Sequence, residues 1–273
     1  MQLSAALDIV GQIRWILMTG IPPVLKAIYA SPSLIFDFTA LSRISMATVW
    51  VPFGEGADIH AKVDKTNLIT PNARGVVLDL GSGHGYTPNY LDRTKVTQFI
   101  AVEPNVLMHS SIRQKAEAAG FSEADGSLLI LACGAEDTAS ILSSLHPDDT
   151  TSQAQVAQVN TIISVLTLCT IPAPQQTLRT LVDTVLAPGG EFLFYEHVLS
   201  PRTDVAWWQR FWTPIWSRVL DGCTLNRPTH IWVEQLVGED GETFWAEGGS
   251  VWNSVDFPEE NLFCRRLGRF VKK

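Results

Sequence analysis

Apolar and polar positions along the 273-residue chain change their rhythm twice. From Leu3 to Phe38 apolar residues dominate, but Asp8, Arg14, Lys26 and Asp37 interrupt them, and Pro22-Pro23 is expected to break the segment. From Gly75 to Val198 short apolar runs alternate with amphipathic stretches. The runs 75–80, 99–102, 128–133, 161–166 and 191–198 are bounded by turn residues, the pattern of buried parallel strands. Helical spacing fills 106–119, stopped by Gly120, and 175–186, closed by Ala-Pro-Gly-Gly at 187–190. The polar stretch 146–158 reads as a loose surface loop. Strand and helix in regular alternation predict a doubly wound α/β sheet, whose ligand lies at the carboxyl ends of the strands.

Beyond Val198 the rhythm changes again. Trp207, Trp208, Trp212 and Trp216 fall within ten residues, and a helix over 203–220 would set Trp208, Trp212 and Ile215 on one face. Such a face serves as core, as the wall of an apolar acceptor site, or as a surface resting on a membrane. Residues 243–245 and 262–271 read as late antiparallel strands. No tryptophan lies between Val51 and Ala206, so the sheet core is expected to use smaller residues. The chain divides into a helical N-terminal cap (1–74), a cofactor-binding core (75–198) and an aromatic-rich C-terminal segment (199–273), all in one domain.

Composition narrows the function classes. A formal net charge of −8 disfavours nucleic acid and anionic surfaces, which reward clustered Lys and Arg. Cys133, Cys169, Cys223 and Cys264 form neither a C-x-x-C pair nor a zinc spacing with histidine, so no structural metal is expected. Four thiols in this length fit a reducing, cytoplasmic setting. The longest uncharged runs of the N-terminal segment fall short of the ~18–20 residues of a spanning helix. Two placements stay open for that segment: a cap on the fold, or a peripheral anchor in the interface of an intracellular membrane.

The chemistry concentrates in "VVLDLGSGHGY", residues 76–86. Gly81, Gly83 and Gly85 do not match the G-x-G-x-x-G dinucleotide spacing, and Asp79 at the end of the first strand would repel a pyrophosphate. An NAD-dependent oxidoreductase is therefore disfavoured. A cationic ligand suits the carboxylate, and S-adenosylmethionine carries both a sulfonium and an ammonium. Glu103, 22 residues after Gly81, ends the second strand, where a carboxylate accepts from both ribose hydroxyls. After the third strand, Ala135 and Glu136 in "CGAEDT" are placed to meet adenine, while Asp137 suits a helix N-cap.

With these residues the chain resembles class I S-adenosylmethionine-dependent methyltransferases: "LDLGSGHGY", "AVEPN", "GAEDT" and "LAPGGEFLFYEH" are similar to four of their motifs, in order. A narrower likeness, in "VLTLCTIPAPQQTLRTLV", "EHV" and "WWQRFWTPIWSRVLDGCTLNR", is to the methyltransferase-like group that includes alkyl-thiol methyltransferases. The resemblance implies a doubly wound, mostly parallel seven-stranded sheet with a helical cap, and S-adenosylmethionine held by Asp79, Gly81, Ser82, Gly83, Gly85, Glu103, Pro104, Ala135, Glu136 and Leu166. It implies methyl transfer to sulfur or oxygen of a small lipophilic acceptor, with N-methylation or cofactor binding without catalysis as alternatives. His197 is the candidate base and Glu196 the second, since adjacent strand residues face opposite ways. Asp221 and Cys223 stand where an acceptor pocket would be lined, with Cys223 also readable as a small buried hydrophobe; Cys169 packs beside the cofactor.

Overall fold

Gly75–Leu80 forms strand β1, an inner strand of the sheet, because it is apolar on both faces. Val77 points to one layer and Leu78 and Leu80 to the other, all fully buried. The computed structural model describes residues 3–145 and 158–273, so residues 146–157 of the expected loop lie outside the described residues. The further strands are β2 (Val96–Val102), β3 (Leu128–Leu131), β4 (Val159–Val165), β5 (Leu186–His197), β6 (Ser250–Asn253) and β7 (Arg265–Val271). Their order is β3-β2-β1-β4-β5-β7-β6, parallel except where β7 runs against β5 and β6. This is the doubly wound, seven-stranded arrangement implied by the sequence.

Helices cover the sheet: α1 (Leu3–Ala30), α2 (Phe38–His60), α3 (Lys62–Asn72), α4 (His109–Ala118), α5 (Thr138–Leu145), α6 (Pro174–Thr180), α7 (Thr203–Val219) and α8 (Thr229–Glu234). Three expectations change. Helix α1 continues through Pro22-Pro23; each proline withholds one intrahelical donor, but packing holds the helix, with Ile16 and Val49 of α2 buried in one cluster beside Trp212 and Trp216. In α7 the buried face is Val205, Gln209, Trp212 and Trp216, whereas Ile215 is 45% exposed. The indole of Trp212 donates to the Ala6 carbonyl (2.9 Å), which rotates the apolar stripe toward α1. The sheet core is also more aromatic than expected: Phe99, Phe192, Phe194 and Tyr195 are fully buried, and Trp245 of the C-terminal segment packs on Phe192.

Of the late strands, β7 starts at Arg265. Thr243 and Trp245 make isolated bridges rather than a strand, and Ser250–Asn253 is the edge strand instead. Register sets the functional edge. Leu80 is level with Val102 of β2 and Ser164 of β4, Val102 with Leu131 of β3, and Ser164 with Phe194 of β5. The residues after these positions emerge together along one rim. Strand β5 runs three residues further because β7 pairs with it as far as His197–Arg265, carrying Glu196 and His197 past the rim.

Candidate active site

At that rim lies a cleft of about 330 Å³, floored by the loops after β1 to β5 and roofed by α2 and the segment after α7. The glycine loop owes its shape to close approaches. A Cβ on Gly83, at φ +54°, would meet the indole nitrogen of Trp50 at 2.8 Å; one on Gly85, at φ +77°, would meet the α4 backbone at Ile112 at 2.7 Å. Gly81 and Gly83 line the cleft, while Gly85 serves the packing of α4 and lines neither this cleft nor the smaller cavity beside it.

Glu103 is buried and grips the loop from below. Its carboxylate accepts from the backbone N–H of Gly83 (2.8 Å) and of Asn105 (2.8 Å). Burial pushes its pKa up, and these two N–H groups partly offset that. The carboxylate, Pro104 and Gly83 form one wall; Ala135 and Glu136 line the neighbouring stretch, and Asp137 caps α5 by accepting from the Ser140 N–H (3.1 Å). Across the cleft Leu166 is left-handed at φ +56°, as is Asp221 at φ +45°: two non-glycine residues held in sparsely populated backbone at one site.

Asp79 does not line the main cleft. It opens with Ser82 on an adjoining cavity of about 40 Å³, shared with Asp58 and Lys65. Burial pushes its carboxyl from 3.8 to about 7, against the pull of the Ser82 and Thr87 hydroxyls and of Lys65. One carboxylate oxygen, Oδ2, is buried with no hydrogen-bond partner. An orphaned buried oxygen of this kind is open to a donor from a ligand in that cavity. Lys65 was not singled out in the sequence. It is buried, paired with Asp58, and 4.4 Å from the Tyr90 ring centroid, with Tyr90 donating to Asp58 (2.9 Å). The readable signal was a lysine on the same helical face as Ala61, Leu68 and Ile69.

The two candidate bases separate. Glu196 points away from the cleft; its Oε1 accepts from the Ser164 hydroxyl (2.8 Å) and from the N–H groups of Thr167 (2.9 Å) and Leu168 (3.1 Å). It clamps the loop after β4 and touches no cleft space. His197 does line the cleft. Burial lowers its pKa, but Cys169 and Glu196 outweigh that, and the net shift is upward. Its Nε2 lies 3.2 Å from Cys223 Sγ, which lies 3.4 Å from Cys169 Sγ. All three ligand atoms sit within 4.8 Å of one another, a cluster that spacing along the chain did not reveal. The cap contributes Thr39, Arg43, Met46, Trp50 and Phe53 to the roof, and Ser42 donates to Asp221 (2.6 Å), tying α2 to the segment after α7. No helix among the described residues is long and apolar enough to cross a membrane.

Known proteins match this frame. Thiol S-methyltransferase TMT1B of Rattus norvegicus is 32% identical over 100 residues, covering 36% of this chain and 41% of that protein. Thiol S-methyltransferase TMT1A of Homo sapiens is 37% identical over 76 residues, covering 28% of this chain and 31% of that protein. The match thus spans less than half the length of these relatives. An O-methyltransferase family protein from Burkholderia thailandensis superposes with a TM-score of 0.55 at 14% identity, over 96% of this chain and 70% of that one, a likeness of fold. The family model described as "Methyltransferase domain" matches residues 57–235, from the end of α2 past α8. The chain belongs to the methyltransferase-domain family.

Proposed function

We propose that the protein is an S-adenosylmethionine-dependent methyltransferase acting on the sulfur, or second to that the oxygen, of a small lipophilic acceptor. The observation that carries the cofactor is the pairing of an unpartnered buried Asp79 oxygen with the Glu103-braced glycine loop. The bound cofactor supplies an electrophilic methyl group on a sulfonium. The chain's residues bind and align. Asp79 offers its free oxygen to the ammonium, and Lys65 offers its ammonium to the carboxylate of the same amino-acid end. Glu103 accepts from the ribose, and Ala135 and Glu136 flank the base. Holding both partners in line accounts for ~7–11 kcal/mol of barrier reduction in well-oriented systems.

The acceptor end favours sulfur. Cys169, His197 and Cys223 face a wall otherwise built from Met46, Phe53, Trp216, Leu220 and Phe263. An apolar pocket with a few convergent polar groups suits a lipophilic molecule carrying one reactive head. His197, which lines this cleft, would receive the proton of a thiol or hydroxyl at Nε2. The thiol methyltransferase relatives, though matched in part only, support the same preference.

Turnover to S-adenosylhomocysteine with a panel of lipophilic thiols, phenols and amines tests this. The expected result is product with thiols and lesser product with phenols. Cofactor binding with no product from any class would make the chain a binding protein, and product with amines alone would overturn the sulfur assignment.

A further inference from the structure

The Cys169–His197–Cys223 cluster does more than a proton acceptor requires. Three donors of soft or borderline character come from three elements: the loop after β4, the end of β5 and the loop after α7. A tetrahedral zinc with Zn–S about 2.3 Å and Zn–N about 2.05 Å separates its sulfurs by about 3.8 Å, and sulfur from nitrogen by about 3.6 Å. Here the sulfurs are 3.4 Å apart, and His197 Nε2 is 3.2 Å from Cys223 Sγ. These two pairs need to part by only a few tenths of an ångström to admit the ion, and all three donors already lie within 4.8 Å of one another.

The loops that carry them are braced from outside. The Cys169 carbonyl accepts from the Thr224 N–H (3.2 Å) and hydroxyl (3.0 Å), joining the two cysteine loops. Arg227 donates to the carbonyls of Leu168 and Ile171, both at 2.8 Å, on either side of Cys169. Such bracing holds ligands in place before the ion arrives. Two thiolates also neutralise a divalent ion, so the buried site carries no unpaired charge.

We propose that Cys169 Sγ, Cys223 Sγ and His197 Nε2 bind a zinc ion whose fourth position opens on the cleft and takes the sulfur of a thiol acceptor. This rests on the thiol reading above for the acceptor, though not for the metal. Three protein ligands and one open position is the arrangement of catalytic rather than structural zinc. On binding the metal the two cysteine thiols release their protons to water, and so does the acceptor thiol when it coordinates. The acceptor sulfur then bonds to the methyl carbon. The methyl–sulfonium bond breaks, its electron pair stays on the departing sulfur, and the neutral thioether, a poor ligand, leaves. In this arrangement the Nε2 lone pair of His197 is committed to zinc, and the metal rather than the imidazole ionises the acceptor.

The test is metal binding by the whole chain, read independently of turnover. Chelator-treated protein titrated with Zn²⁺ against a chromophoric competitor is expected to take up one equivalent. Cys169→Ala, Cys223→Ala and His197→Ala should each weaken binding by about 100-fold or more, beyond the 10–100-fold typical of losing an outer-shell partner. Cys133→Ala is expected to retain the zinc, and S-adenosylhomocysteine binding reports that each variant is folded. With Co²⁺ in place of zinc, the wild-type chain should show thiolate charge-transfer absorption that shifts when a lipophilic thiol is added. No uptake, uptake that survives loss of both cysteines, a Cys169–Cys223 disulfide in place of uptake, or a cobalt spectrum blind to thiol would each overturn the proposal. Undiminished thiol methylation by zinc-free protein would overturn it too and leave the thiol reading standing. Specific metal uptake without methylation of any thiol would overturn the thiol reading, and with it the acceptor role of the fourth position, and leave the three-ligand metal site standing.

Discussion

Replacing Asp79 by Asn separates what the carboxylate does for the ligand from what it costs the fold. Burial moves the carboxyl from 3.8 to about 7, which corresponds to a ceiling of ~4 kcal/mol on the cost of ionising it in the folded chain. Between those two values the folded state holds a proton that the unfolded state has released. The contribution is therefore fully present below about pH 4 and is lost as pH rises toward 7. Asn carries no charge, so Asp79→Asn should stabilise the ligand-free protein at about pH 8 and do much less at about pH 5. Relaxation around the charge and hydration of the cavity alongside should bring the observed gain nearer to about 1–2 kcal/mol, or roughly 2–8 °C in melting temperature. Cofactor binding moves the other way. Losing the countercharge to the ammonium should weaken S-adenosylmethionine by about 10–100-fold, roughly one third to two thirds of the ~4 kcal/mol available to a charge pair at 4 Å near a protein surface. For the wild type, affinity should rise from about pH 6 to pH 8 as Asp79 ionises, with proton release on binding near neutrality. Thermal melts at both pH values and calorimetric titrations in two buffers of different ionisation enthalpy measure all of this. Equal melting shifts at both pH values, or unchanged cofactor affinity in the variant, would refute the assignment of a buried, ligand-seeking carboxylate.

Three further outcomes follow from single contacts. Glu103→Ala removes the acceptor of the Gly83 and Asn105 N–H groups, so cofactor affinity should fall at least tenfold in calorimetry. Glu196→Ala should destabilise the chain by about 2–4 kcal/mol, whereas Glu196→Gln keeps an acceptor oxygen and should retain most turnover; loss of turnover in a stable Gln variant would return Glu196 to the chemistry. Glu191 is buried between half-exposed Arg74 (3.0 Å) and Arg269 (2.7 Å), which water can solvate once it is gone, so Glu191→Ala should cost only about 1–2 kcal/mol by denaturant unfolding.

The gathering of the proposed cofactor residues was legible because they follow strand ends within a few positions of local motifs. Once β1 was recognised in 75–80, Asp79, Gly81 and Gly83 had to lie at its carboxyl end, and the parallel register put Glu103 beside them. Gly85 belongs to the same motif but answers to α4 packing, a distinction that spacing cannot carry. The acceptor half was not legible in the same way. Cys169 and Cys223 are 54 positions apart and meet only because α7 returns its following loop over the β4 edge. Lys65 reaches Asp79 from a helix of the cap, and Trp50 reaches Gly83 from another. Helical periodicity misjudged α7 by one residue class because the deciding contact, Trp212 to the Ala6 carbonyl, is long-range.

This division has a mechanical consequence for specificity. The sheet rim proposed to hold the cofactor is fixed by paired strands in one register, whereas the facing wall is built from α2 and the loop after α7, joined by Ser42 to Asp221 (2.6 Å) and anchored to the rim by Asn105 donating to the Arg43 carbonyl (2.9 Å). Substitutions in the cap can therefore reshape the acceptor space without disturbing the β1 and β2 loops. Because Asp221 is held at φ +45° at the mouth of the cysteine loop, its hydrogen bond from Ser42 couples cap position to the placement of Cys223. On the proposed reading, acceptor choice is set where the appendages meet, two residues from a thiol, and methyl-donor recognition where the strands end.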